Sequence, residues 1–184
     1  MRRAIPVLWG AVLLVGCSVS GGTTTTQDIS ESLVTVTSMT ATGTTQSLIS
    51  SDVSNGNSDL ADVKFQNQPK SVSTNVTPFF GVTLTRYKVV FSRGDGGPVP
   101  APFEASMSLF VPAPTVVSGV TTLGTASTTI VIVPLNAKGG SPLMDLETGK
   151  SFSANATVTF EGQDGLGRGV SVPPGGIAIV FRRP

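Results

Sequence analysis

Apolar and polar residues alternate with a period of two along most of the chain beyond residue 32. Such alternation places every second side chain on one face of the backbone, and it is typical of half-buried β-strands. Stretches rich in Gly, Pro, Asn, Asp and Ser, which favour turns, separate the alternating segments. The pattern predicts eight or nine strands. They include residues 33–41, 61–68, 82–93, 104–112, 128–135, 153–162 and 175–183, and a weaker pattern predicts another at residues 47–50.

The segment VTLTRYKVVFSR, residues 82–93, shows how alternation assigns the faces of a strand. One face would carry Thr83, Thr85, Tyr87, Val89 and Phe91, and the other would carry Val82, Leu84, Arg86, Lys88 and Val90. Because the two basic side chains belong in solvent, we predict that the face with the aromatic rings points into the core. In later strands the same reasoning places Met107, Leu109 and Val111 on one face and turns Ala154, Ala156, Val158 and Phe160 inward.

The order and spacing of these strands predict an all-β fold. The pattern contains no convincing amphipathic helix, and residues 142–149 predict at most one short helical turn. Asp164 and Gly165 form a favourable turn pair between the last two strands. Since the chain has no repeat of fixed period, we predict a single domain over residues 33–184, built as a sandwich of two antiparallel sheets.

Composition narrows the chemistry that this domain can perform. The chain contains no His and a single Cys, Cys17, which excludes a Ser-His-Asp triad, His-containing metal sites, an intramolecular disulfide and a thiolate zinc cluster. The formal net charge is +1, and without Arg2 and Arg3 ten basic and eleven acidic residues remain, a net charge of −1. A near-neutral chain without a basic cluster argues against a nucleic-acid partner and against a polybasic membrane patch. We expect no cofactor.

The first seventeen residues have the pattern of an export signal. Arg2 and Arg3 form a short basic region, and the uncharged, mostly apolar stretch that follows at residues 4–16 has 13 residues. That length suits a signal peptide and is short of the roughly 20 residues that span a bilayer as a helix.

The end of this stretch, Leu14, Val15, Gly16 and Cys17, resembles the lipobox of bacterial lipoproteins. In that family an aliphatic residue and a small residue precede an obligatory Cys, whose sulfur receives a diacylglyceryl group. The resemblance implies that residues 1–16 are removed as a signal peptide and that the new amino group of Cys17 is acylated as well. The alternatives are a plain secretory signal that contains a cysteine by chance and a buried Cys that behaves as a small apolar side chain.

Residues 17–32 separate this motif from the first predicted strand. Apart from Val19 and Ile29 they have no large apolar side chain, and they include a run of four Thr residues. Such a segment buries too little to offset the entropy of ordering, so we predict a tether of Ser and Thr that holds the domain off the lipid. In enterobacterial lipoproteins an Asp after the cysteine favours retention in the inner membrane. Since Ser18 follows Cys17 here, the resemblance implies a location on the outer membrane, at its periplasmic face or at the cell surface.

The order of segments from residue 33 to residue 183, including TRYKVVFSRGDGGPVPAPFEASMSL and ATVTFEGQDGLGRGVSV, resembles the immunoglobulin-like sandwiches of bacterial lipoproteins. The resemblance rests on turn and core patterns, so it implies a fold and no catalytic residues. The antibody-type disulfide is missing, and Trp9, the only Trp, lies in the signal segment.

Three groups of polar residues are candidates for a site in the domain. Asp52, Asp59 and Asp62 lie in the oxygen-rich stretch SDVSNGNSDLAD and form a weak candidate for Ca²⁺, although Asp and Asn are also common in turns. The triplet of Arg93, Gly94 and Asp95 spells an adhesion motif, and it also suits a tight turn. Three carboxylates would serve a glycosidase if they converged in space, namely Glu104, Glu147 and Glu161.

These observations lead to one main functional hypothesis and two alternatives. The main hypothesis is a membrane-anchored envelope lipoprotein that is not an enzyme and that has a structural or an interaction role. In the interaction role it would bind an envelope protein or a glycan through its strand edges or loops. The first alternative is an envelope hydrolase that acts on carbohydrate through carboxylates. The second is a module that binds calcium or a glycan.

Overall fold

The computed structural model describes residues 30–71 and 76–184. Within these ranges the strands are β1 (Ser32–Ala41), β2 (Leu48–Asp52), β3 (Asp59–Pro69), β4 (Val82–Ser92), β5 (Phe103–Val111), β6 (Thr115–Val117), β7 (Val120–Thr122), β8 (Gly124–Val133), β9 (Ser151–Asp164) and β10 (Gly169–Arg182). A 3₁₀ turn at Pro78–Phe80 precedes β4, and the four-residue helix α1 (Leu135–Lys138) follows β8. All eight segments with clear alternation are strands, which confirms the predicted all-β fold.

The strands form two main sheets and a small hairpin. One sheet has the order β1-β3-β8, the other has the order β2-β10-β9-β4-β5, and β6 pairs with β7. The inner faces of the two main sheets together form one hydrophobic core, as expected for a sandwich. At its centre Phe65 of β3 meets Phe160 of β9 edge to face, with ring centroids 4.9 Å apart.

The predicted inward faces are largely correct. Tyr87, Val89 and Phe91 are buried on β4, and Ala154, Ala156, Val158 and Phe160 are buried on β9. The hydroxyl of Tyr87 also crosses to the other sheet, where it accepts a hydrogen bond of 3.1 Å from the amide of Val131 on β8. Alternation therefore identified the side chains that join the two sheets.

The prediction for the first half of β4 was wrong, because this strand contains a bulge. The register of β4 against both neighbours shifts between Leu84 and Arg86, so Val82 and Leu84 are fully buried although they share the phase of Arg86 in sequence. Gly162 of β9 lies opposite Leu84, and a Cβ atom there would lie only 2.2 Å from the carbonyl oxygen of Thr83. Because the bulge adds one residue to β4, the alternation of buried and exposed side chains changes phase there. The basic side chains of β4 therefore remain in solvent.

The predicted sandwich of purely antiparallel sheets needs one correction. β2 pairs with β10 in parallel, from Leu48 opposite Ala178 to Asp52 opposite Arg182. The chain thus leaves the sheet of β1 after Ala41 and joins the edge of the other sheet. Alternation specifies faces and not partners, so it gave no signal for this pairing.

Two local predictions also differ from the structure. The segment between β5 and β8 was assigned no strand, yet it forms the hairpin β6–β7, whose turn residues Ser118 and Gly119 have φ angles of 51° and 79°. Positive φ at both central residues is the requirement of a type I′ turn. The short helical turn predicted at residues 142–149 occurs earlier, as α1, and residues 142–145 form hydrogen-bonded turns instead.

The domain also begins earlier than composition indicated. Ser30 and Ser32, which were assigned to the tether, are only 2% and 0% exposed. Both hydroxyls bond to groups more than 45 residues away in sequence, as described below. The sandwich therefore includes the chain from at least Ser30.

Different loops and short elements lie at the two ends of the sandwich. We call proximal the end at which Ser30 joins the domain; it carries the 3₁₀ turn, the β6–β7 hairpin and the turn at residues 164–169. We call distal the opposite end, which carries the loop at residues 52–59, the loop at residues 93–102 and α1.

Candidate functional site

The proposed lipid attachment site lies outside the described residues, together with the rest of the lipobox. This holds for Leu14, Val15, Gly16 and Cys17, for residues 1–16 and for most of the predicted tether. What the structure does describe is the place where the chain that follows Cys17 joins the sandwich. That place is the proximal end.

Asp164, the last residue of β9, secures this junction. One carboxylate oxygen, Oδ2, accepts hydrogen bonds from the hydroxyl of Ser30 at 2.7 Å and from Nε of Arg168 at 2.8 Å. The other oxygen, Oδ1, accepts from the amides of Leu166 at 2.9 Å and Arg168 at 3.0 Å. The same side chain therefore closes the β9–β10 turn and holds the first described residue of the chain.

The environment of Asp164 favours its charged form. Its side chain is fully buried, and burial alone would raise its pKa. The hydrogen bonds from Ser30, Arg168 and Leu166 outweigh that effect and hold the pKa of Asp164 below its ordinary value of 3.8. A carboxylate with this many donors is a structural anchor, since its lone pairs are occupied within the domain.

Two further buried polar groups fix the 3₁₀ turn beside Asp164. The hydroxyl of Ser32 donates to the carbonyl oxygen of Phe80 at 2.9 Å, and Nδ2 of Asn67 donates to the same oxygen at 2.7 Å. Asn67 also donates to the carbonyl oxygen of Pro112 at 3.0 Å, at the base of the β6–β7 hairpin. The first strand, the 3₁₀ turn and the hairpin are thus held in one arrangement.

The three calcium candidates do not form one cluster. Asp62 lies on β3 and accepts from the hydroxyl of Thr129 at 2.7 Å and the amide of Gly43 at 3.2 Å, and these bonds lower its pKa. The carboxylate of Asp52 accepts from both the hydroxyl and the amide of Ser54, which lower its pKa in the same way. Among the described residues, no group of three His, Cys, Asp or Glu side chains has metal-binding geometry.

The oxygen-rich loop at the distal end already holds a cation of the protein itself. The ammonium group of Lys138, a residue only 3% exposed, donates to the carbonyl oxygen of Asp52 at 3.0 Å, to Oδ1 of Asn55 at 2.8 Å and to Oδ1 of Asp59 at 3.1 Å. Ser51 donates to the other carboxylate oxygen of Asp59 at 2.6 Å. The loop was predicted from its oxygen density, but sequence reasoning missed Lys138 because 79 residues separate it from Asp59.

Two of the three candidate catalytic carboxylates lie in ion pairs on the outer face of the larger sheet. Glu161 of β9 accepts from Nε of Arg86 at 2.7 Å, and this pairing raises the pKa of the guanidinium. Glu104 of β5 lies 3.3 Å from the ammonium of Lys88. Since β4 runs between β5 and β9, the two basic side chains lie between the two carboxylates. Glu147 lies elsewhere, in the exposed segment between α1 and β9.

The Arg-Gly-Asp triplet follows β4 at the distal end and is folded onto itself. Nε of Arg93 donates to Oδ1 of Asp95 at 2.8 Å, and the guanidinium lies 4.3 Å from the centre of the Phe152 ring. The Arg93 side chain is therefore only 16% exposed, whereas that of Asp95 is 61% exposed. An adhesion receptor would have to break both contacts to reach the arginine.

Three of the open grooves on the described surface have no charged residue in their lining. They measure about 230, 440 and 150 Å³ and lie, respectively, beside α1, beside the β6–β7 hairpin and on the outer face of β9 and β10. The residues that line these grooves can contact a ligand through apolar side chains and backbone groups, but they provide no acidic or basic side chain. The proximal end therefore provides the junction with the predicted tether and the largest of these three grooves.

The chain matches no family model, no curated protein sequence and no solved structure. Within residues 30–71 and 76–184, none of the helices is long and apolar enough to cross a bilayer.

Proposed function

We propose that this protein is an exported bacterial lipoprotein, anchored to the membrane through Cys17. The observation that carries the proposal is the register of Leu14, Val15, Gly16 and Cys17 with the basic and apolar regions that precede them. Two or three acyl chains, each buried at roughly 0.8 kcal/mol per methylene, would make the attachment stable, whereas one chain alone would be marginal.

The structure supports this proposal through the way in which the domain is held at its N-terminal junction. Ser30 is bonded to Asp164 and Ser32 is bonded to Phe80, so a pull on the chain from Cys17 is transmitted to β9 and β4. A domain that is tethered by its N-terminal segment needs such a junction, because the terminal residues of a domain otherwise separate easily from it.

We further propose that the sandwich is immunoglobulin-like. Immunoglobulin-like sandwiches place strands A, B and E in one sheet and strands C, F and G, with C′ beside C, in the other. In chain order β1, β3 and β8 correspond to A, B and E, and β4, β5, β9 and β10 correspond to C, C′, F and G.

The role that fits this arrangement is binding in the cell envelope rather than catalysis. Glu104 and Glu161, the carboxylates of the hydrolase alternative, are paired with basic residues, and the loop of the calcium alternative binds Lys138. By contrast β5 and β8 each have a hydrogen-bonded strand on one side only among the described strands, which leaves edges for an added strand of a partner. An envelope protein or a glycan on the outer membrane is the expected partner.

The anchoring proposal is tested by Cys17→Ser in the full chain, with Ser18→Ala as the matched control. When the bacteria are grown with a labelled fatty acid, the unchanged protein and the Ser18→Ala variant should carry the label, and the Cys17→Ser variant should carry none. A Cys17→Ser protein that is labelled as strongly as the unchanged protein would contradict the proposal.

A further inference from the structure

The β6–β7 hairpin is an exposed and uncharged element at the proximal end. Every residue from Thr115 to Thr122 is exposed, and the exposed fractions of Val116, Val117 and Val120 are 53%, 68% and 65%. The hairpin lies within a run of 33 residues, 105–137, that contains no Asp, Glu, Lys or Arg. Three exposed valines on this hairpin bury little within the domain, so they leave an apolar surface open to an external contact.

The surface around the base of the hairpin is apolar as well. Phe110, at the end of β5, is 58% exposed and lines a groove of about 440 Å³ together with Pro78, Pro114 and Val116. Phe79 of the adjoining 3₁₀ turn is 54% exposed, and its carbonyl oxygen accepts from the amide of Gly165. Leu166, in that same β9–β10 turn, is 57% exposed. The proximal apolar surface is defined here as Phe79, Phe110, Val116, Val117, Val120 and Leu166.

The position of this surface indicates its partner. The chain joins the sandwich beside it, where Ser30 is bonded to Asp164, the residue that also holds the amide of Leu166. Thirteen peptide steps separate Cys17 from Ser30, and they span at most about 45 Å when fully extended. The 14 residues of β9 have a similar length, roughly 45 Å. The distal end could therefore touch the lipid only with a fully extended tether, whereas the proximal end can reach the lipid at any extension.

We infer that the proximal apolar surface rests on the lipid bilayer to which Cys17 is attached, with the valines of the hairpin in the interfacial region. This inference rests on the proposed lipidation and departs from the expectation that the tether holds the domain off the lipid. It adds an orientation, in which the sandwich stands end-on with its distal loops facing away from the membrane. An uncharged hairpin suits this contact, because charged side chains are costly to bring into the acyl region. In this contact β6 and β7 keep the backbone hydrogen bonds that they share, so inserting the turn and its valines into the lipid exposes few unpaired backbone groups.

The experiment places a single tryptophan on the surface of the full lipidated chain. Val117→Trp probes the hairpin, Val90→Trp is the matched control on the outer face of β4, and Leu135→Trp probes the distal end. All three positions are exposed, at 68%, 42% and 49%, so the substitutions leave the core intact. Each protein is purified from membranes and reconstituted into vesicles of phosphatidylethanolamine and phosphatidylglycerol, with and without brominated acyl chains.

The expected result is that Val117→Trp emits at shorter wavelength in vesicles and is quenched by the brominated lipid, while Val90→Trp and Leu135→Trp are not. Equal quenching at all three positions, or none at position 117, would overturn the inference. A third outcome is that the emission of Val117→Trp is shifted to shorter wavelength in both mild detergent and vesicles, without quenching by the brominated lipid. That outcome would show that protein covers the hairpin, either a second copy or residues 4–16, and it would also overturn the inference.

The same samples also test the proposed lipidation independently of the proposed orientation. Trp9 is the only natural tryptophan, so a mature chain that lacks residues 1–16 should show no tryptophan emission without a substitution. Emission from the unsubstituted protein would contradict the processing step itself. Loss of vesicle attachment in Cys17→Ser, together with unquenched Val117→Trp in the lipidated protein, would leave the anchor standing and overturn only the orientation.

Discussion

At the scale of single residues, the domain depends on two buried charged side chains, Asp164 and Lys138, that join distant parts of the chain. Asp164 connects the β9–β10 turn to Ser30, 134 residues away, and Lys138 connects α1 to the loop that precedes β3. Both acidic partners were visible in the sequence as turn formers. Their long-range partners were not, because a turn pattern describes only the neighbours of a residue in sequence.

Replacement of Asp164 by Asn should lower the free energy of unfolding at neutral pH by about 2 kcal/mol, since it removes charge-assisted hydrogen bonds to a fully buried group. The folded-state pKa of Asp164 lies below its ordinary value of 3.8, so the carboxylate stabilises the fold fully above that value. This stabilisation is lost as the pH falls through the lower, folded-state pKa. Urea denaturation from pH 7 down to pH 2.5 should therefore show the difference between the two proteins shrinking below about pH 4. A difference that stays constant over this range would contradict the role assigned to the charge.

Replacement of Lys138 by Met should be more costly, at about 3 kcal/mol, because it leaves the carboxylate of Asp59 without its cation in a largely buried site. The double variant Lys138→Met, Asp59→Asn should recover part of this loss, since it removes the unpaired charge as well. Chemical denaturation of both variants measures the effect. Calcium added to Lys138→Met tests the alternative use of the loop, and we expect no gain in stability, because Asp52 and Asp62 bond elsewhere.

At the scale of elements, alternation predicted the strands well and predicted their irregularities and partners poorly. The bulge in β4 was hidden because Val82, Leu84 and Arg86 keep a regular spacing in sequence, and only the close approach of Gly162 to Thr83 shows where the register changes. The β6–β7 hairpin is too short for a strand pattern, and its turn at Ser118 and Gly119 was not predicted. The parallel pairing of β2 with β10 joins segments about 130 residues apart, and no local pattern encodes it.

The bulge makes a prediction for Gly162. A Cβ atom at this position would lie 2.2 Å from the carbonyl oxygen of Thr83, so Gly162→Ala must displace backbone between β4 and β9 and should destabilise the domain by about 2 kcal/mol. Gly176→Ala on β10 is the matched control, because its nearest neighbour would be an ordinary contact at 3.7 Å. Thermal denaturation should separate the two variants clearly, and equal melting temperatures would contradict the described register.

At the scale of the whole molecule, the two ends of the sandwich have different proposed roles. The proximal end receives the chain from Cys17 and carries the proximal apolar surface, and the distal end carries the charged loops around Lys138 and Arg93. The fold class and most core faces could be predicted from the sequence, because they follow from periodicity. The difference between the ends could not, since it depends on which turns the topology brings together.

The central claim is that Cys17 becomes the lipidated first residue of the mature protein. Intact-mass and fragmentation spectrometry of the protein extracted from bacterial membranes test it most directly. We predict a chain that begins at Cys17, with a diacylglyceryl group on its sulfur and an acyl group on its amino nitrogen. A chain that retains residues 1–16, or a mature chain with a free thiol at Cys17, would contradict the account.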